Sequence, residues 1–168
     1  MMKEITDAFG NWFAGFVDGE GCFLISRDNR QNPKSSYRCQ FKIALRNDDR
    51  RVLELIRENL GFGKIYARPA YLTRNRNEHA QAIFWVCPTG DCVKLAALFE
   101  KYPLRAKKQR DFGIWKLAVT EVQKPVVYRN TDLLEYYFLK IKEVRQYDEQ
   151  EETEIPILKK LQLTLEFE

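Results

Sequence analysis

Residues 13–21 read Phe-Ala-Gly-Phe-Val-Asp-Gly-Glu-Gly, and this stretch constrains the fold more than any other. Upstream of it and into it, Ile5, Phe9, Trp12, Phe13, Phe16 and Val17 recur at helical spacing, which predicts a helix from Ile5 to Val17. Ala14, Gly15 and Gly19 remove side chains from one stripe, so that another helix backbone can approach closely. The glycines at 19 and 21 predict that the helix stops there, with Glu20 immediately past its end. A carboxylate presented beside a partner helix lies near a twofold axis, next to its own symmetry mate. Two carboxylates so close repel unless a cation neutralises them. Hard divalent ions such as Mg2+ suit an oxygen cluster of this kind and bind phosphates at the same time.

The rest of the chain predicts strands and helices in alternation. Cys22–Arg27 reads as a strand, Asp28–Ser36 as a polar turn, and Tyr37–Ile43 as a half-buried strand of period two. Asp48 or Asp49 caps a second helix with an apolar stripe of Val52, Leu55, Ile56 and Leu60, ended by Gly61. Strands near 63–72 and 80–87 flank the polar loop Thr73–Glu78. A third helix, capped by Thr89 or Asp91, carries Leu95, Leu98 and Phe99 and stops at Pro103. Leu104–Val119 predicts a fourth with Phe112 and Trp115 inward, and Leu133–Ile141 a last one. The acidic run Asp148–Glu154 predicts a fraying or solvated stretch before a short tail. The order is αββαββα plus C-terminal helices, an α+β fold whose antiparallel sheet is covered by helices on one face. We read one domain over residues 1–168, with a core at about 5–120 and a helical extension at about 121–168.

A chain of 168 residues, 45% hydrophobic, is large enough to bury a core. No apolar run approaches the roughly 20 residues of a membrane span, and the start, Met-Met-Lys-Glu-Ile-Thr-Asp, lacks a secretory core. The expectation is an intracellular protein without membrane partner or small-molecule cofactor. Cys22, Cys39, Cys87 and Cys92 form no CxxC pair and no zinc-like spacing with the single His79, so reduced, packed thiols are expected.

Charge is unevenly spread. Residues 21–86 carry 13 lysines and arginines against 6 acids, whereas residues 119–168 carry 7 against 11. A basic middle points to a polyanion-binding surface. In Tyr37–Ile43 the polar parity holds Arg38, Gln40 and Lys42; in the third strand it holds Lys64, Tyr66 and Arg68; after the first strand Ser26, Asp28 and Arg30 share a parity. The flanking Asn32, Lys34, Arg74, Arg76, His79 and Gln81 extend this set. Arg and Lys suit guanine, Gln and Asn suit adenine, and a twisted β-ribbon fits a major groove. A merely solvated sheet face would carry more Glu than this one does.

Residues 13–21 closely resemble the signature of the LAGLIDADG homing endonucleases. The resemblance continues through Leu45–Asp49, Val52–Ile56, Leu60–Ile65 and Pro103–Phe112, covering roughly residues 8–118. It implies a saddle-shaped sheet straddling duplex DNA and hydrolysis of both strands. One motif implies a homodimer on a near-palindromic site, with Phe13, Ala14, Gly15, Asp18 and Gly19 at the dimer interface. It implies Glu20 as direct ligand of Mg2+, assisted by the Gly19 carbonyl, with Mn2+ or Ca2+ able to substitute for binding. Asp18 reads as structural at the helix end. Lys107 matches the basic residue lining the active site, and Arg46 and Arg50 fall near its peripheral polar positions. For Arg50 and Arg51 a plain surface role stands beside that reading, as a solvated helix face does for Arg105, Lys108 and Arg110. His79 sits too far from Glu20 in the pattern to serve as base. An RNA-binding intron maturase and a non-catalytic DNA-binding regulator share the fold as alternatives, and the presence of both Glu20 and Lys107 argues for the nuclease. An organelle (mitochondrion or chloroplast) and a microbial cytoplasm both fit as its compartment.

Overall fold

The computed structural model describes residues 4–28, 31–70, 72–73, 76–77 and 79–145. The chain runs through α1 (Asp7–Glu20), β1 (Gly21–Arg27), β2 (Tyr37–Arg46), α2 (Arg50–Leu60), β3 (Lys64–Arg68), β4 (Leu72–Thr73), β5 (Arg76–Asn77), β6 (Gln81–Val86), α3 (Thr89–Lys101), α4 (Lys108–Gln123) and α5 (Thr131–Glu143). Four strands pair antiparallel in the order β1-β2-β6-β3. The expected αββαββα order therefore holds, with the two-residue β4–β5 ladder added in the connection between β3 and β6. Fold class is α+β: among the described residues, this four-stranded sheet and five helices.

Alternation decides which way the sheet faces. Phe23 and Ile25 of β1, Cys39, Phe41 and Ile43 of β2, and Ala82, Phe84 and Val86 of β6 are buried under the helices. From α1 the stripe Gly10, Phe13, Ala14 and Val17 packs inward, and from α2 the stripe Leu53, Ile56 and Leu60. Phe23 sits among the rings of Phe41, Phe99, Phe112 and Trp115, with centroids 5.1–5.9 Å away. Burying each such ring contributes about 2–3 kcal/mol, and each well-set aromatic pair adds roughly 0.5–1.5 kcal/mol. This cluster welds β1 and β2 to α3 and α4, so the strand that follows the motif is rigidly placed.

The helix ends depart from expectation in instructive ways. α1 does not stop before Glu20; Glu20 is its last residue, and the chain turns extended at Gly21, whose N–H donates to the Val17 carbonyl. A Cβ at Gly21 would lie 2.5 Å from Val17 Cγ1 and 2.8 Å from the Val17 carbonyl oxygen, so no larger residue can make this exit. α2 begins after a 3-10 turn at Asn47–Asp49, and neither aspartate caps it: Asp49 makes no side-chain cap, and Asp48 pairs with Arg46 at 2.9 Å. Gly61 closes it in the left-handed region at φ 74°, as expected. α3 begins behind Pro88 without a side-chain cap. α4 starts at Lys108 rather than Leu104, after a turn whose Arg105 and Ala106 N–H groups are held by a distant carboxylate (below).

α5 is tied to the β1 side of the sheet. Arg27 donates to both carboxylate oxygens of Glu135 at 2.8 Å, Tyr37 donates its hydroxyl to the same carboxylate, and Arg27 lies over the Phe138 ring at 5.4 Å. Arg145, just past the helix, donates to the buried Asp111 at 3.1 Å and to the Phe23 carbonyl. The run Asp148–Glu154 and the tail beyond it lie outside the described residues. All four cysteines are free thiols; burial pushes the Cys92 thiol up to about 12 and that of Cys39 higher still. Among the described residues no helix is long and apolar enough to cross a membrane.

Candidate active site and open sheet face

Glu20 stands exposed at the C-terminal end of α1. The helix carbonyls there carry partial negative charge, and no basic residue occupies the last turn to offset it. Carboxylate and helix end together make a locally anionic point, suited to a cation. Gly19 is exposed beside it, and a Cβ at this position would meet no atom within 4 Å. No linker separates Glu20 from β1, so its backbone is fixed relative to the sheet.

Asp18 turns the other way. Its two oxygens accept the backbone N–H groups of Arg105 at 2.8 Å and Ala106 at 3.1 Å. This clamp holds the turn between Pro103 and α4, and Lys107 is the next residue, at the N-terminal boundary of α4. The acid of the motif that stays near the helix end thus positions the basic segment that resembles the family's later site region.

The side of α1 turned away from the core carries Trp12, Gly15, Phe16 and Gly19. Trp12 is 41% exposed and stacks on the half-buried Phe16 at 5.3 Å. Gly15, like Gly19, has open space where a side chain would project. Phe13 and Ala14 do not share this surface: they are 0% and 4% exposed, inside the chain's own core, with Phe13 stacked on Phe99. The expectation that these two contribute side chains to a dimer interface is corrected accordingly. The helix period puts residues 13, 14 and 17 on one side and 12, 15, 16 and 19 on the other.

Arg46 ends β2. Since Gly21 pairs with Ile43, the strand's last residues Ala44–Arg46 lie at the Glu20 end of the sheet, with Arg46 in register with Gln81 and Gln81 with Arg68. Arg50 begins α2 and donates to Glu54 at 3.0 Å, while Arg51 reaches the same carboxylate at 3.3 Å. The Arg50 hydrogen bond, followed by that of Arg51, holds the Glu54 carboxyl below its ordinary range.

The sheet face away from the helices is open, and register orders it in rows. Ser26 lies opposite Arg38, Leu24 opposite Gln40, and Cys22 opposite Lys42. Lys42 and Lys64 flank Trp85 on either side, and Ala44 and Tyr66 flank Ile83. Arg38 pairs with Asp28 at 2.9 Å. The Trp85 indole donates to Gln40 Oε1 at 3.1 Å, Gln40 Nε2 donates to Ser26 Oγ at 2.9 Å, and Tyr66 meets the Trp85 ring edge-on at 6.2 Å. Sequence reasoning missed Leu24, Ile83 and Trp85 on this face. Ile83 is buried yet stands apart from the helix-side core.

Other expected contact residues are placed differently. Lys34 donates its ammonium to the Val127 carbonyl at 2.9 Å, and the Asn32 carboxamide caps the 3-10 turn Pro33–Ser35 by accepting from Lys34 N–H at 3.0 Å. Both therefore have work within the chain. His79 is exposed, and Gln81 is half-buried at the start of β6. Arg30 and Arg74 lie outside the described residues, and of Arg76 only the backbone, in β5, is described.

Among the described residues no three of His, Cys, Asp and Glu converge on one point. The oxygens at hand for an ion are the Glu20 carboxylate and the Gly19 carbonyl, a hard donor set that fits Mg2+ or Ca2+ and not a thiophilic metal. A cavity of about 640 Å3 lies at the far end of β2 among Tyr37, Cys39, Cys87 and Arg129, and no residue of the motif lines it.

Residues 13–119 match the family model described as LAGLIDADG endonuclease. A probable intron-encoded endonuclease of Schizosaccharomyces pombe, Cox1-I1b, is 29% identical over 146 residues, which are 83% of this chain and 35% of the relative. The chain thus spans about a third of that relative's length. Among solved structures, the homing endonuclease I-TnaI is 26% identical with a TM-score of 0.59, covering 94% of this chain and 95% of its own. The archaeal intron-encoded homing endonuclease I-Vdi141I, solved with DNA, gives a TM-score of 0.68 at 24% identity over 84% of this chain and 90% of its own, a likeness of fold.

Proposed function

The chain belongs to the LAGLIDADG endonuclease family, and on that premise we propose that it is a divalent-metal-dependent, site-specific DNA endonuclease whose active site is completed by a second copy of α1. The observation that carries this reading is the exposed Glu20 at the end of a helix whose outer stripe contains Gly15 and Gly19. One chain offers a single carboxylate there, and two-strand cleavage needs two such points. A homodimer meeting along Trp12, Gly15, Phe16 and Gly19 supplies the second and calls for a near-palindromic target.

Each side chain then has a role set by its place. A bound divalent ion supplies Lewis-acid stabilisation of charge on the phosphodiester. Glu20 provides the anionic ligand and Gly19 a neutral carbonyl beside it. Lys107 provides a cation near the scissile phosphate, held there by the Asp18 clamp. Arg46 and Arg50 lie at the periphery, where Arg46 can reach the DNA and Arg50 steadies the start of α2 through Glu54. The open rows of Ser26, Asp28, Arg38, Gln40, Lys42, Lys64, Tyr66, Arg68 and Gln81 face the major groove, with His79 at their margin. One relative is named intron-encoded and another, of Saccharomyces cerevisiae, is named a mitochondrial protein, which fits an organellar or other intracellular setting.

The test is selection of cut sites from a duplex library with Mg2+. The chain should cut both strands of one long, near-palindromic site, and Glu20→Gln should stop cutting while retaining binding in Ca2+. Cleavage by the Gln variant, or tighter binding to structured intron RNA than to any duplex, would overturn the reading.

A further inference from the structure

The open sheet face holds a directional relay that passes through Gln40. An indole N–H can only donate, so the Gln40 atom 3.1 Å from Trp85 Nε1 is its oxygen, and the nitrogen must face Ser26 Oγ at 2.9 Å. Ser26 accepts there and in turn donates towards the Arg38 carbonyl at 3.5 Å. The donor at one end therefore fixes the orientation of the carboxamide. Trp85 is itself held by the Tyr66 ring at 6.2 Å and lies under the Lys42 ammonium at 6.0 Å.

This wiring limits what Gln40 can read. A glutamine amide has two N–H groups and two lone pairs on its oxygen. With one of each engaged, a single donor and a single acceptor remain. Adenine asks for that combination in the major groove, one donor to N7 and one acceptor for N6–H2, whereas guanine presents two acceptors, N7 and O6. An unrestrained glutamine can turn over or swing both N–H groups outward; a wired one cannot.

We propose that Trp85 and Ser26 are specificity-determining positioning residues that hold Gln40 as an adenine reader. The proposal rests on the open sheet face being the DNA-reading surface. Leu24, directly opposite Gln40 on β1, supplies an apolar neighbour of the kind that accommodates a thymine methyl.

The experiment selects bound duplexes from a randomised library in Ca2+, with sequencing, for the full-length wild-type chain and the variants Gln40→Ala, Trp85→Phe and Ser26→Ala. Wild type should prefer adenine at the position that Gln40→Ala randomises. Trp85→Phe keeps the ring against Lys42 and Tyr66 but removes the N–H. It should narrow the adenine-over-guanine preference at that one position by about fivefold or more, with other positions unchanged. Ser26→Ala should relax the same position from the opposite end, and Trp85→Phe in the Gln40→Ala background should change nothing further. A Trp85→Phe motif identical to wild type overturns the relay, as does equal relaxation at every position, which marks a merely structural role. Lys42→Ala and Lys64→Ala variants in the same assay separate the two failures. If they bind as tightly as wild type, the face itself is misread; if they bind weakly while Trp85→Phe is silent, only the relay fails.

Discussion

The carboxylate of Asp18 accepts the backbone N–H of Arg105 at 2.8 Å, joining the end of α1 to the turn that leads into α4. With its second oxygen on Ala106 at 3.1 Å, Asp18 holds the turn at residues 105–106 and so sets where Lys107 emerges. Charge-assisted hydrogen bonds of this kind contribute roughly 1.5–3 kcal/mol each when well shielded, and less where water reaches them. Asp18→Ala is expected to lower cleavage by at least about tenfold. Hydrogen exchange at the Arg105 and Ala106 amides should accelerate in the same variant. Asp18→Asn, which retains one acceptor oxygen, should fall between. Wild-type cleavage in Asp18→Ala would separate Lys107 from the site.

The dimer reading is tested at Gly15. A Cβ there would meet nothing within 4 Å in the chain's own structure, and replacing helical glycine removes a propensity cost of roughly 1 kcal/mol. Gly15→Leu should therefore leave thermal stability of the monomer fold equal or higher. It should also wedge two α1 helices apart, giving a monomer by light scattering at micromolar concentration and abolishing two-strand cleavage. A dimeric, active Gly15→Leu protein would place the interface elsewhere.

How much of this was legible in the sequence follows from where the determining contacts lie. The motif was legible because the small residues, the acid and the following strand are contiguous. The reading parity of β2 was legible because Arg38, Gln40 and Lys42 alternate strictly with Cys39, Phe41 and Ile43. β6 was harder: Gln81-Ala-Ile-Phe-Trp-Val is almost wholly apolar, so no period marks Ile83 and Trp85 as facing away from the helices. Only the register against Lys42 and Lys64 does so. The late start of α4 was illegible for a related reason. Leu104–Lys107 has helical composition, and the group that holds the turn there lies 87 residues earlier in sequence. The resemblance puts Phe13 and Ala14 at the dimer interface with Gly15 because the small-residue stripe and the core stripe run together in the sequence; the two sides of α1 separate only once Phe99 is seen to occupy one of them.

The contact that fastens α5 has a pH signature. Hydrogen bonding from Tyr37, then from Arg27, holds the Glu135 carboxyl below its ordinary range. A depressed folded-state value contributes stability that is present above the unfolded carboxylate's range and is lost as pH falls through the folded value. At pH 7 Glu135→Gln should melt a few degrees below wild type. The gap should begin to narrow below the unfolded carboxylate's ordinary value of about 4 and close as pH falls through the lower folded value, where wild type loses the same charge. A gap that stays constant as pH is lowered from 7 down to the acid unfolding of both proteins would show that Glu135 stabilises by packing alone.

Salt dependence distinguishes the cations of the open face from one another. Each phosphate contact releases counterions and adds about 0.9 to the downward slope of log affinity against log salt concentration. Lys64 is exposed on β3, and no ion pair engages it among the described residues. Arg38 is already half-neutralised by Asp28 at 2.9 Å, so its approach to a phosphate must first disengage that partner. Lys64→Ala is therefore expected to flatten the slope by about one, and Arg38→Ala by distinctly less. Asp28→Asn should do the opposite of both, steepening the slope by releasing Arg38 and removing a repulsive charge. Fluorescence anisotropy on a duplex between about 50 and 200 mM KCl reads all three slopes. A Lys64→Ala slope equal to wild type would remove the end of β3 from the DNA-contacting surface, and a slope in Asp28→Asn no steeper than wild type would show that Asp28 does not hold Arg38 back from a phosphate.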